Sequence, residues 1–204
     1  MNRVDYKSIL LSADDFQECK EVAQQLAINN RQDGSVECAP DISRRDRFAL
    51  LGAIGETAFC RYLNVQPDFA RMKASEGRGD IDVDGLWEIR ATERNACGWN
   101  GSPLTLYEHN LKKRKTYFSP FVKVCVRMFQ DRPPRCDLYG WEMGYIIISE
   151  EQLKQRRIGV GNRVVERDDE ILRPFLDPVT DRENALYLKQ LWLHIHNNLD
   201  EGIF

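Results

Sequence analysis

Apolar side chains recur every three to four positions in two long stretches near the start of the chain and in one at its end. Between them they tend to recur at every second position. The first helical stretch follows Ser12, with Phe16, Val22, Leu26 and Ile28 on one side, Ser12 as N-cap and acids in the first turn. A second helix is predicted over about 44–63, where Phe48, Leu51, Gly55, Ala58 and Tyr62 share a stripe. Gly52, Ala53 and Gly55 make this helix thin. Glycine weakens a helix, so close packing against another backbone is expected to compensate. The closing stretch "TDRENALYLKQLWLHIHNNL" predicts an amphipathic helix capped at Thr180 or Asp181, burying Leu186, Leu191 and Trp192.

The middle of the chain has a different period. Short strands are expected at about 80–83 and 86–92, joined at Asp84-Gly85. "FVKVCVRMF" over 121–129 alternates apolar and polar residues like a half-buried strand, and "YGWEMGYIIIS" reads as another. Residues 64–78 read as loop with room for a short strand, "LTLYEHNLKKRK" as strand or short helix, and "EEQLKQRRIG" as a helical piece. Helices enclosing a run of strands imply an α/β (α+β) fold, a sheet with helical cover, in a single domain spanning 1–204.

Composition narrows the function. No run of about 18 apolar residues is present, so no membrane span is expected, and the N-terminal stretch does not read as a signal peptide. Six cysteines are scattered without a Cys-x-x-Cys pair, which argues against a zinc site and for free thiols in a reducing compartment. His194 and His196 are two apart on a predicted helix and face different sides, a poor chelate. The net charge of −3 hides an uneven distribution. Residues 90–135 carry ten Lys or Arg against three acids, a local +7 that leaves −10 for the rest. A local positive field of this kind is what phosphates respond to.

The stretch "GDIDVDGLWEIRATER" holds the candidate chemistry. Asp80, Asp82, Asp84 and Gly85 match the opening of an EF-hand calcium loop. The closing bidentate glutamate is missing, however, because its position falls on Ala91. Read as a hairpin, the stretch allows two registers. A three-residue loop at 83–85 sets Asp82 opposite Leu86 and Asp80 opposite Glu88, gathering Asp80, Asp82, Glu88 and Arg90 on one face. A two-residue loop at Asp84-Gly85 moves Glu88 opposite Ile81 instead. Clustered carboxylates repel one another unless a cation or a proton offsets them. A solvated acidic hairpin is the plain structural alternative. Trp87 shares its face with Ile81, Val83 and Ile89 and is expected in the core.

Taken in order, "GAIGETAFCRYL", "GDIDVDG" and "LWEIRAT", with "FVKVCVRMF" and "YGWEMG" more faintly, resemble the PD-(D/E)XK nuclease superfamily, especially its small phage-encoded members. The resemblance covers residues 52–144, and it implies a restriction-endonuclease-like mixed sheet flanked by helices. The nuclease-like core would span about 44–150, with an N-terminal helix and a C-terminal helical extension. It further implies a hydrolase, an endonuclease cutting DNA with Mg²⁺ or Mn²⁺ and no organic cofactor, in the cytoplasm of a prokaryote or phage-infected cell. Glu56, Asp82 and Glu88 would be its acids, with Asp80, Asp82 and Glu88 as metal ligands and Ile89 lending a carbonyl. Arg90 stands where the family has lysine. Arginine cannot release a proton to act as a base, but its fork of donors can neutralise a phosphate. Arg94, Lys112, Lys113, Arg114, Lys115, Lys123 and Arg127 are the candidate contacts to the DNA backbone. The alternative is an inactive nuclease-like fold that binds nucleic acid or a protein partner. The final helix is a candidate homodimer element.

Overall fold

The computed structural model describes residues 6–32, 42–73, 83–93, 104–107, 118–147, 154–158, 162–167 and 172–200. Strand β1 (Lys7–Leu10) leads into helix α1 (Ala13–Gln32). Ser12 caps that helix as its pattern requires, its hydroxyl accepting the Asp15 amide at 3.0 Å. Helix α2 (Ile42–Tyr62) and the short α3 (Phe69–Lys73) follow, then β2 (Glu88–Glu93), β3 (Leu104–Tyr107), β4 (Pro120–Arg127) and β5 (Arg135–Met143). The single turn α4 (Gly144–Ile147), strands β6 (Lys154–Ile158) and β7 (Asn162–Arg167), and helix α5 (Pro178–Asp200) complete the order.

The main sheet has the order β1-β5-β4-β2, with β2 parallel to β4 and the other pairs antiparallel. A second antiparallel sheet runs β3-β7-β6. The chain is thus a mixed α/β protein whose four-stranded mixed sheet is flanked by helices, the class its patterning implies. Among the described residues no helix is long and apolar enough to cross a membrane.

Helix α2 covers one face of the main sheet. Ile54, Ala58 and Phe59 are fully buried there with Val122, Val124, Val126 and Leu138. The thin stripe of α2 has the use its glycines suggest: a Cβ added at Gly55 would lie 2.7 Å from the Cβ of Ala91 on β2. On its other side α2 packs against α1, where the Cys19 and Thr57 side chains share a hydrogen bond of 3.3 Å. Trp87 is fully buried, edge-on between Phe59 at 5.0 Å and Trp141 at 5.4 Å. Its core placement is as expected, although its Nε1 finds no hydrogen-bond partner among the described residues.

Several local expectations are corrected. Residues 69–73 form a helix rather than a strand, and 154–158 form a strand rather than a helix, because pairing with β7 outweighs the helical propensity of that stretch. Neither β1, with four residues, nor β7, with six, is among the expected strands. "YGWEMGYIIIS" is strand only to Met143 and then turns helical. Strand β4 is not half-buried: both faces are covered up to Val126, Lys123 included. The cap of α5 is Asp177, whose carboxylate accepts the amides of Val179 and Thr180. Leu191 is exposed, while Trp192 packs edge-on with Phe118 and Tyr145.

Asp181 fastens α5 to the rest. It is 1% exposed and accepts hydrogen bonds from the Tyr62 hydroxyl, the Trp141 indole and the Leu176 amide. Beside it, Arg173 pairs through its backbone with Trp141, extending the edge of β5 beyond the reach of β1. Gly140 makes this approach possible. Its φ is +152°, and a Cβ there would meet the Arg173 carbonyl oxygen at 2.5 Å.

Candidate functional site

The site is entered through a tight turn. Asp84 and Gly85 both have positive φ, 52° and 61°, the backbone a primed hairpin turn demands. The Val83 carbonyl accepts the amides of Leu86 and Trp87, and the Val83 amide donates back to Trp87, each at 3.0 Å. Val83 therefore faces Trp87 across a loop of Asp84, Gly85 and Leu86. This is neither of the two registers considered from sequence. Loop length alone did not reveal that Leu86 would be drawn into the buried core instead of opening a strand. Arg182 of α5 holds the turn from outside, donating to the Asp84 carboxylate at 2.9 Å.

Strand alternation then divides the residues of β2. Ile89 and Ala91 face Gly55 of α2, so Glu88 and Arg90 point to the opposite face of the sheet. Glu88 is 6% exposed and opens the strand. The Arg90 guanidinium folds back toward it, Nη2 lying 3.6 Å from the Glu88 carboxylate. Nη1 donates to the Ile89 carbonyl at 3.3 Å, and the guanidinium carbon lies 5.2 Å from the centre of the Phe121 ring. One cation thus rests against a carboxylate, a carbonyl and an aromatic face.

The register carries this polar face across the sheet. Arg90 is level with Lys123 on β4, and Glu88 with Phe121 and then Glu142 on β5. Lys123 is 1% exposed, its amine 5.3 Å from the centre of the Tyr139 ring. Glu142 is held by Arg173 and Asp137 by Ser8 and Arg135, so the acids of β5 are tied up in hydrogen bonds. Lys123 and Arg127 share this face as their parity implies, but burial takes Lys123 away from the open phosphate-binding surface expected of it. Its only sequence signal was a charged residue inside an otherwise apolar alternation.

Glu56 belongs to the helix that covers the face of the sheet opposite to the one Glu88 takes. Its charge acts on the Cys19 thiol of α1, which burial pushes up to about 11. Asp80, Asp82, Arg94, Lys112, Lys113, Arg114 and Lys115 lie outside the described residues. Among the described residues no group of three or more His, Cys, Asp and Glu side chains is arranged to hold a metal. What they offer is the Glu88 carboxylate with the neighbouring Ile89 carbonyl. Both are hard oxygens of the kind Mg²⁺ and Mn²⁺ prefer, and together they are part of a ligand set.

No family model, curated protein or solved structure matches the chain. A second feature, unforeseen from sequence, is a cavity of about 410 Å³ on the α2 side of the sheet. Leu50 and Met128 contribute apolar walls, and Lys20, Asp46, Arg47 and Glu93 line it with charge. Arg47 and Glu93 form a two-pronged ion pair there, both hydrogen bonds 2.7 Å long.

Proposed function

We propose that the chain is a metal-dependent phosphodiesterase of the PD-(D/E)XK type acting on DNA. The observation that carries this reading is the cluster at the start of β2, where a buried carboxylate, a backbone carbonyl and a guanidinium meet behind a tight turn. Glu88 and the Ile89 carbonyl would hold Mg²⁺ or Mn²⁺ together with Asp82 and Asp80, which enter on the sequence reading alone. Such an ion lowers the pKa of a bound water and stabilises charge on a phosphoryl oxygen. Arg90 offers a planar fork of donors to the scissile phosphate and takes no proton. Arg94 and the basic run Lys112–Lys115, with Arg127, would hold the DNA backbone. A cytoplasmic setting goes with this reading, supported by Cys19, Cys60, Cys125 and Cys136, which are buried thiols outside any disulfide.

The test is calorimetric titration of Mn²⁺ into the wild type and an Asp82→Ala/Glu88→Ala double variant, with plasmid cleavage followed on the same samples. Binding and cleavage in the wild type, both absent from the double variant, are the expected result. A wild type that neither binds nor cuts ends the nuclease reading. One observation favours a second reading, a nuclease-like fold that binds nucleic acid or a protein without cutting it: Glu56 sits across the sheet from Glu88. Mn²⁺ binding without cleavage would select it.

A further inference from the structure

The two oxygens that the described residues offer to a cation are both in contact with Arg90. Nη2 lies 3.6 Å from the Glu88 carboxylate, and Nη1 donates to the Ile89 carbonyl at 3.3 Å. The Phe121 ring supports the same guanidinium from the neighbouring strand, 5.2 Å away. The arginine is therefore parked by three contacts, reaching back along its own strand instead of out to solvent. Its side chain is 26% exposed and that of Glu88 only 8%, so little water screens the pair.

We infer that Arg90 is a built-in competitor of the divalent ion, a guanidinium that caps Glu88 and the Ile89 carbonyl until metal displaces it. The inference rests on the nuclease reading and assigns that site a form of regulation. The two cations exclude one another. A dication at about 2.0–2.1 Å from these oxygens, the Mg²⁺ distance, leaves no room for a guanidinium hydrogen-bonded to the Ile89 carbonyl and ion-paired with Glu88. Each cation must leave for the other to bind, so metal affinity is lowered by whatever holds Arg90 in place. Once displaced, the guanidinium is freed within one side-chain length of the ion, where a phosphate bridging the two would meet it. Metal loading and exposure of the phosphate-binding fork are then a single event. Arg90 thus gates the metal while parked, and acts on the phosphate only after it is displaced.

The experiment is a Mn²⁺ titration by calorimetry of the wild type, Arg90→Gln, Arg90→Lys and Glu88→Ala. Arg90→Gln removes the charge and most of the fork, while Arg90→Lys keeps the charge but loses the two-pronged contact. Displacing a pair of this kind corresponds to about two- to fivefold in Kd. Arg90→Gln is expected to bind Mn²⁺ about two- to fivefold tighter, Arg90→Lys to gain a smaller part of that, and Glu88→Ala to lose the site. A gain in Arg90→Gln with none in Arg90→Lys would reduce the effect to long-range charge and overturn the competition. Unchanged or weaker binding in both Arg90 variants, with wild-type binding abolished by Glu88→Ala, would also overturn it while leaving the metal site standing. Silence in all four proteins would remove the site itself, and the inference with it.

Discussion

Placing a methyl group on Gly55 tests how α2 is seated against β2, the strand that carries Glu88 and Arg90. In Gly55→Ala the new Cβ would lie 2.7 Å from the Ala91 Cβ and 3.3 Å from Cγ2 of Ile89. Carbon atoms rest at about 3.5–4.0 Å, so the helix and strand must part by nearly an ångström. Two effects oppose each other. Alanine favours the helix by about 0.8–1.0 kcal/mol over glycine, and overpacking a well-filled contact costs about 1–3 kcal/mol. The neighbour here is a short Cβ with the strand backbone behind it, unable to swing aside, so the upper half of that range applies. A net loss of about 1–2 kcal/mol is expected. Ala91→Gly alone should cost about 0.5–1 kcal/mol through backbone freedom in the strand. In the double variant the methyl group has room again and the helix keeps its gain, so stability should return to within about 1 kcal/mol of wild type. The four proteins form a double-mutant cycle read by urea unfolding at constant m. A coupling of about 2 kcal/mol is expected. Strictly additive effects, or a stabilised Gly55→Ala, would show that α2 does not sit on Ala91 as described.

Asp181→Ala strands the buried Trp141 indole and leaves the Tyr62 hydroxyl and Leu176 amide to find water, so a loss of about 2–4 kcal/mol is expected by urea unfolding, with Asp181→Asn well below that. The Arg61 guanidinium beside Asp15 holds its carboxyl below the usual range, chiefly by hydrogen bonding. A carboxyl depressed on folding stabilises the protein above its unfolded pKa, and this contribution is lost as pH falls through the folded value. Unfolding free energy should therefore drop below about pH 4 more steeply in the wild type than in Asp15→Asn. Cys19, Cys60, Cys125 and Cys136 are buried, and burial holds Cys19 and Cys136 above the ordinary thiol range. A thiol-reactive dye at pH 8 should thus label the folded protein at no more than two of its six cysteines, and labelling of Cys19 in the native state would contradict its placement.

The long helices were legible because their signals are local and repeated. Ser12 with Asp14 and Asp15 announces α1, and the small residues of α2 announce a close approach that proves to be Ala91. What remained hidden depends on partners distant in sequence. Strand β1 has four residues and exists because β5 is there to pair with it, and 154–158 becomes a strand by pairing with β7. At the site, sequence alternation rightly placed Glu88 and Arg90 on one face. It did not reveal that β4 is covered on both sides, which turns Lys123 from a surface cation into a core one. Nor did helical periodicity show which side of the sheet α2 would take, and that choice separates Glu56 from Glu88.

The edge of β5 is completed by two pieces of chain from opposite ends of the described sequence. Lys7–Leu10 covers its first part, and Arg173 takes over at Trp141, past the register shift between the Leu138 and Gly140 pairings with β4. On a growing chain β1 is made well before the strand it needs, which is completed only after residue 143, and the segment closing the rest of that edge follows later still. Of the pairings β5 makes, that with β4 is the most local in sequence, and those with β1 and Arg173 reach farther along the chain. Pairings this distant close slowly, and until they close, β5 presents an open row of amides and carbonyls to other chains. The cost of this arrangement is borne during synthesis, and a ribosome pause after β5 is where aggregation of this protein should be sought.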